Sequence, residues 1–325
     1  MEIQEECLLA TCEKRLPIAL ALLCVLPIAT RSQTVAADQN PPPPLGKLVD
    51  VGGYRVHLYC TGTGSPTVVI VGAGFSFNWG LVQPEVAKIT QVCSYDHSGI
   101  GWSDDGPKDS CALRVSEVHT ALKNAGIKGP YVLVGHSLGA LVARLYAGRY
   151  PDEVAGMVFV DHAMAIPEGL LMLPPPSDAK VPPRLPPPMP STPSEGGPVA
   201  LGIESDPNFS KLSARDRDLH LWAMAQTRNQ KALQSNHEMM PECVAEADAI
   251  TREHSHALGD KPLVDITTVD SARATELQTK LLSLSQDSKQ VIAEKSGHFI
   301  IIDRPDVVID AISQVVQSVR KNAKL

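Results

Sequence analysis

The sequence predicts an α/β protein whose strands lie mostly parallel in one sheet. Short uninterrupted Val/Ile runs recur, stretches of about a dozen residues with helical spacing separate them, and one such run leads directly into GHSLGA, which opens a helix. Continuous apolar strands alternating with helices are the pattern of buried parallel strands joined by crossover helices.

The elements follow in chain order. YRVHLYC (Tyr54 to Cys60) alternates like a half-buried strand, TVVIV (Thr67 to Val71) is continuously apolar, and QVCSYD (Gln91 to Asp96) is a third strand, with helical spacing in WGLVQPEVAKI before it. A helix is expected around Arg114 to Ala125, then the strand YVLVG (Tyr131 to Gly135), a helix from Leu138 to about Arg149, and the strand GMVFV (Gly156 to Val160). The alternation then breaks. Pro174 to Pro198 holds eleven prolines in twenty-five residues, a composition that excludes helix and central strand. Helices are expected after Ser213 and from about Cys243 to Arg252; strands return at PLVDITTV (Pro262 to Val269) and QVIAE (Gln290 to Glu294), with a last helix from about Pro305 to Lys321. Residues 163–260 therefore read as a cap inserted between two parts of a core, 47–162 and 261–325. Such an insertion sits over the carboxyl ends of the strands, where open α/β sheets place their sites.

The first 37 residues read as a leader. LPIALALLCVLPIA (Leu16 to Ala29) follows Lys14 and Arg15 and is shorter than the roughly 20 apolar residues of a membrane span. Val35 and Ala37 supply small residues before a cleavage point at Asp38. Export is the expectation, with an uncleaved anchor as the alternative, and residues 38–46 form a Pro-rich linker. Cys7, Cys12 and Cys24 fall in the leader. Cys60 and Cys93 read as small core residues, whereas Cys111 and Cys243, in loop-like settings, are a candidate disulfide in an exported chain.

Composition narrows the function. A formal charge of −7, from 29 Lys and Arg against 36 Asp and Glu, gives no cationic surface for a phosphate backbone. Nucleic acid is not an expected partner. No CxxC occurs and the histidines lack metal-ligand spacing, so no metal is implied. HEMM and HSH read as solvated histidines.

The chemistry concentrates at Gly135 to Ala140. A G-x-S-x-G pentapeptide between strand and helix forces its serine into a sharp turn and holds the hydroxyl out at the sheet's edge. Ser137 is the candidate nucleophile. Leu138, first in the helix, offers its backbone N–H to an oxyanion. A serine hydroxyl needs a base, and His298 in SGHF follows the last strand, on the same rim; His136 and His97 are tied to other geometry. A carboxylate must orient that histidine. Asp270 ends the strand PLVDITTV, 28 residues before His298 and in the usual Ser, Asp, His chain order. Asp161 ends GMVFV, 24 residues after Ser137. Both stay open, with chain order favouring Asp270, and Asp265 reads as structural or as an edge feature.

Taken together, TVVIVGAGFSFNW, YDHSGIGWSD, GHSLGA and SGHF resemble the α/β-hydrolase superfamily, in its esterase and lipase-like branch, over roughly Leu45 to Val319. The resemblance implies an eight-stranded, mostly parallel sheet with helices on both faces, a Ser–His–acid triad, no cofactor, and a second oxyanion donor in the loop after the third strand. Many members begin that loop with His-Gly. Here it is Val71-Gly72, which makes Ala73 the matching donor and Gly74 the alternative. GIGWSD (Gly99 to Asp104) resembles a family turn and reads as scaffold. Members similar to haloalkane dehalogenases and epoxide hydrolases carry Asp at the elbow, so Ser137 implies acyl transfer: hydrolysis of a small-molecule ester or amide, with specificity set by cap residues such as Trp222 and Met224. A proline-iminopeptidase-like peptidase is one alternative, and a small-molecule-binding protein without turnover is another.

Overall fold

The computed structural model describes residues 41–162, 202–253, 256–269 and 275–325. The leader, the Pro-rich segment and Asp270 lie outside the described residues.

Eight strands form a single sheet in the order β1-β2-β4-β3-β5-β6-β7-β8. They are β1 (Lys47–Asp50), β2 (Arg55–Thr61), β3 (Thr67–Val71), β4 (Val92–Asp96), β5 (Tyr131–His136), β6 (Val154–Val160), β7 (Leu263–Thr268) and β8 (Ser288–Ala293). β2 runs antiparallel to both neighbours; every pairing from β4 to β8 is parallel. Every residue of β3, β4, β5 and β7 is buried. β3 and β5 read as nearly continuous apolar runs because helices cover both faces.

Among the described residues the helices are α1 (Gln83–Val86), α2 (Cys111–Asn124), α3 (Leu138–Arg149), α4 (Ala214–Met224), α5 (Thr227–Glu253), α6 (Thr275–Leu282), α7 (Ile300–Asp303) and α8 (Pro305–Lys321). On one face, α2, α3 and α5 pack over Val69, Leu133 and Phe159. On the other, α1 and α8 cover Val68, Val134 and Val264. α8 shows how sequence fixes the contact: Val308, Ala311, Ile312, Val315 and Val316 recur at helical spacing and are all buried. Its proline stands at the first position and Asn322 ends it in the left-handed region, φ 48°. Serine side chains cap α2 and α4: Ser110 accepts from the Leu113 N–H at 3.1 Å, and Ser213 from Asp216 at 3.1 Å.

Two expectations are corrected. Cys60 and Cys93 are not free core cysteines; they are directly opposed across the β2–β4 ladder and joined as a disulfide, with Cα atoms 4.0 Å apart. Each run shows its own alternation, but the register between them appears only when the sheet is assembled. Nor is Asp265 an edge feature, since β7 lies between β6 and β8. Cys111 and Cys243, the candidate pair, are bonded, with Cα atoms 5.7 Å apart, and tie α2 to α5.

Candidate active site

β5 passes into α3 through Ser137, which holds φ 55° and ψ −125°. A serine adopts this left-handed geometry only when its surroundings dictate it, and here they are explicit. A Cβ at Gly135 would stand 2.4 Å from the Ala140 Cα, and one at Gly139 would stand 1.9 Å from the Val71 carbonyl oxygen. Only glycine fits on either side. The Ser137 N–H donates to the Val160 carbonyl at 3.1 Å, which ties the elbow to β6.

His298 is half-exposed, and its Nδ1 lies 2.6 Å from Oδ2 of nearly buried Asp161. Asp161 follows β6 at φ 39°, and its N–H donates to the Ile266 carbonyl at 2.8 Å. The carboxylate that meets His298 is thus the one after β6, whereas chain order pointed to Asp270. The loop carrying His298 is held from two sides. Gly297 donates its N–H to Asp303 of α7 at 2.7 Å, and buried His136 donates its Nε2–H to the His298 carbonyl at 3.0 Å. Burial, and then the neighbouring His298, push the His136 pKa down to about 4, so that ring stays neutral and serves as a donor. Behind Asp161, fully buried Asp265 makes no hydrogen bond among the described residues. Burial first, and the Asp161 charge second, raise its pKa to about 7.

The oxyanion side is built from α3 and the loop after β3. Leu138 opens α3, so its N–H has no helical acceptor. Ala73 and Gly74 line the same cavity as Ser137, Leu138 and His298. Both ends of their loop are fixed. The Ser76 N–H donates to Asp96 at 2.6 Å, and Asn236 of α5 donates its Nδ2–H to the Ala73 carbonyl at 2.8 Å. Asp96 is itself held by buried His57, whose Nδ1 lies 2.8 Å away. The GIGWSD turn is scaffold for this arrangement: Ser103 Oγ donates to the Asp96 carbonyl at 2.6 Å.

The cavity has a volume of about 630 Å³. Residues of the loop after β3, the Ser137 elbow and the His298 loop line it together with residues of α4, α5 and the segment around Ile203. The lining is mostly apolar, with Phe75, Trp79, Leu233, Met240, Phe299 and Ile301. Its polar part includes a chain that the sequence did not suggest. His220 of α4 sits between Asn78 Oδ1 at 3.0 Å and Glu204 Oε2 at 2.8 Å. Met224 lines the cavity as expected; Trp222 instead packs on Trp102, with ring centroids 5.5 Å apart. His237, expected to be solvated, is exposed but borders the cavity. Among the described residues, no cluster of His, Cys, Asp or Glu is placed to hold a metal ion.

The comparisons bear on the fold. Residues 66–186 match the family model described as the alpha/beta hydrolase fold. A 2-hydroxymuconate semialdehyde hydrolase of a Pseudomonas species is 34% identical over 144 residues, which are 41% of this chain and 50% of that protein. A Schizosaccharomyces pombe protein of uncharacterized function is 33% identical over 138 residues, 33% of this chain and 26% of its own length. The chain spans between about a quarter and a half of these relatives. Among solved structures, a meta-cleavage product hydrolase from Pseudomonas fluorescens is 20% identical with a TM-score of 0.58, over 84% of this chain and 98% of that one. The epoxide hydrolase CorEH gives 17% and 0.58 over the same shares. With the sheet order and the strained serine between strand and helix, these matches show that the chain has the alpha/beta hydrolase fold.

Proposed function

We propose that this chain is a serine hydrolase that cleaves a carboxylic ester, or an amide, through an acyl-enzyme. One observation carries the reading: a strained serine, a histidine paired with a carboxylate, and backbone donors converge on a single cavity. The Nδ1–H of His298 is committed to Asp161, which leaves Nε2 as the nitrogen able to take a proton. Ser137 Oγ attacks the acyl carbon as its proton passes to Nε2. The oxyanion then rests on the Leu138 N–H and on Ala73, with Gly74 as the alternative donor. His298 returns the proton to the leaving oxygen or nitrogen. Water, deprotonated at the same nitrogen, releases the acid and restores Ser137. Apart from that water, every group in these steps belongs to the chain.

The peptidase alternative asks for a carboxylate free to bind a substrate amine. Glu204 lines the cavity, but its Oε2 is engaged by His220 at 2.8 Å, and this favours a neutral substrate. Two disulfides among the described residues, beside the basic-then-apolar leader, support export to an oxidising compartment.

Labelling with a fluorophosphonate probe, followed by mass spectrometry, tests the assignment. Modification of Ser137 with hydrolysis of p-nitrophenyl esters, both abolished in Ser137→Ala, is the expected result. A folded wild type that neither labels nor hydrolyses would favour the binding-protein alternative. Comparing acyl chain lengths would then define the substrate.

A further inference from the structure

We infer that Asn236, a residue of the cap, is a positioning residue for the oxyanion loop of the core. The inference rests on the serine-hydrolase reading above and deepens it.

Asn236 is buried on α5 and bridges two partners. Its Oδ1 accepts from an Arg114 NH2 group at 2.7 Å, and its Nδ2 donates to the Ala73 carbonyl at 2.8 Å. The orientation of the amide is dictated by chemistry, because a guanidinium can only donate and a carbonyl can only accept. Arg114 is itself immobilised. It is almost fully buried and forms a two-pronged pair with Asp109, with Nε 2.9 Å from Oδ1. Asp109 in turn accepts from Ser235 Oγ at 2.6 Å, so the network returns to α5 beside its starting point.

Its terminus is the carbonyl of the residue assigned as an oxyanion donor. Holding that oxygen fixes the plane of the Ala73–Gly74 peptide and, with it, the direction of the Gly74 N–H, the alternative donor; the Ala73 N–H, which belongs to the preceding peptide, is restrained only through the anchored Ala73 Cα. Donors act in catalysis when already aimed at the place where charge develops, and a short glycine-flanked loop does not aim itself. Asn236 supplies that restraint from outside the core.

The helices bearing the network are also joined covalently. Cys243 lies seven residues, or two turns, beyond Asn236 on α5, and Cys111 lies three residues before Arg114 on α2. The disulfide and the Arg114–Asn236 hydrogen bond are therefore two rungs between the same pair of helices. The placement of the cap helix and the readiness of the oxyanion hole become one property.

Asn236→Asp separates this role from packing. The variant keeps the volume and the acceptor toward Arg114 but loses the donor toward Ala73. We expect kcat on a p-nitrophenyl ester to fall about 10- to 100-fold, short of the roughly 10²–10³ for losing an oxyanion donor itself, with KM changed by less than about threefold. Affinity for a trifluoromethyl ketone, which Ser137 converts reversibly to a tetrahedral oxyanion adduct, should fall in parallel with kcat. Asn236→Leu should show the same split, and carries the test if the Asp variant does not fold. Either folded variant keeping kcat and ketone affinity within about twofold of wild type overturns the inference. So does a loss confined to KM. A wild type without turnover or ketone binding points instead to failure of the hydrolase reading, and that result is read before any variant is made.

Discussion

The Nε2–H of His136 reaches the carbonyl oxygen of His298 at 3.0 Å, so the residue immediately before the candidate nucleophile holds the loop that carries the candidate base. Two segments 162 residues apart in sequence are set in register by a single bond. Burial keeps the His136 ring neutral, which preserves one N–H for this purpose without a second positive charge beside His298.

Removing that bond should loosen the base without removing it. His136→Phe is expected to lower kcat about fivefold, the equivalent of one hydrogen bond of about 1 kcal/mol. KM should hardly change, and steady-state kinetics with an unchanged circular-dichroism spectrum would show this.

The acid assignment separates the two carboxylates directly. Asp161→Asn should lower kcat by about 10³–10⁴, the scale on which a triad histidine suffers when held in the wrong tautomer. Asp270→Asn should stay within about threefold. The opposite ranking, read from kcat of the two purified variants, would return the role to the residue after β7.

Asp265 predicts a pH dependence of stability. Its carboxyl is held at about 7 against an ordinary 3.8, so between those values the folded chain binds a proton that the unfolded chain has released. Stability must therefore decline as pH rises from about 4 to about 7 and then level off, by about 4 kcal/mol from this group alone. Asp265→Asn removes the titration. Urea unfolding at pH 5 and pH 8 should show the variant losing less stability than wild type across that interval.

The Cys111–Cys243 bridge closes a loop with a sequence separation of 132, worth about 5 kcal/mol in the chain-entropy account. The Cys111→Ala, Cys243→Ala double variant should unfold at markedly lower denaturant concentration. Its kcat should also drop before global unfolding begins, because the rung that keeps Asn236 near Ala73 is gone. Parallel activity and fluorescence titrations in urea would separate the two events.

Much of this was legible in the chain, and the exceptions have physical causes. β3, α3 and the Ser137 elbow come from patterns within a few residues: a continuous apolar run, glycines where a Cβ has no room, and a helix directly after. The pairing of Cys60 with Cys93 depends on strand register, which no local pattern encodes. Asp161 and Asp270 each follow a strand-like run in the sequence, and only the assembled sheet brings Asp161 to His298. The first half of α5 went unread because its buried face carries Asn229 and Asn236, which interrupt the apolar stripe, and because Pro241 stands inside the helix. Those polar interruptions were themselves a signal, since an asparagine on the inward face of an amphipathic helix must find partners there.

α5 borders the cavity through Gln230, Leu233, Gln234, His237 and Met240, while Asn236, which also borders it, and Cys243 are bonded to the core. The two sets divide the helix between what can diverge and what cannot. Drift at Gln230, Gln234 or His237 reshapes the chamber while leaving the reactive groups where they are, so new specificities are within reach of single substitutions. Change at Asn236 or Cys243 is expected to disturb turnover of every substrate alike, and descendants of this chain that take new substrates are expected to vary the first set and keep the second.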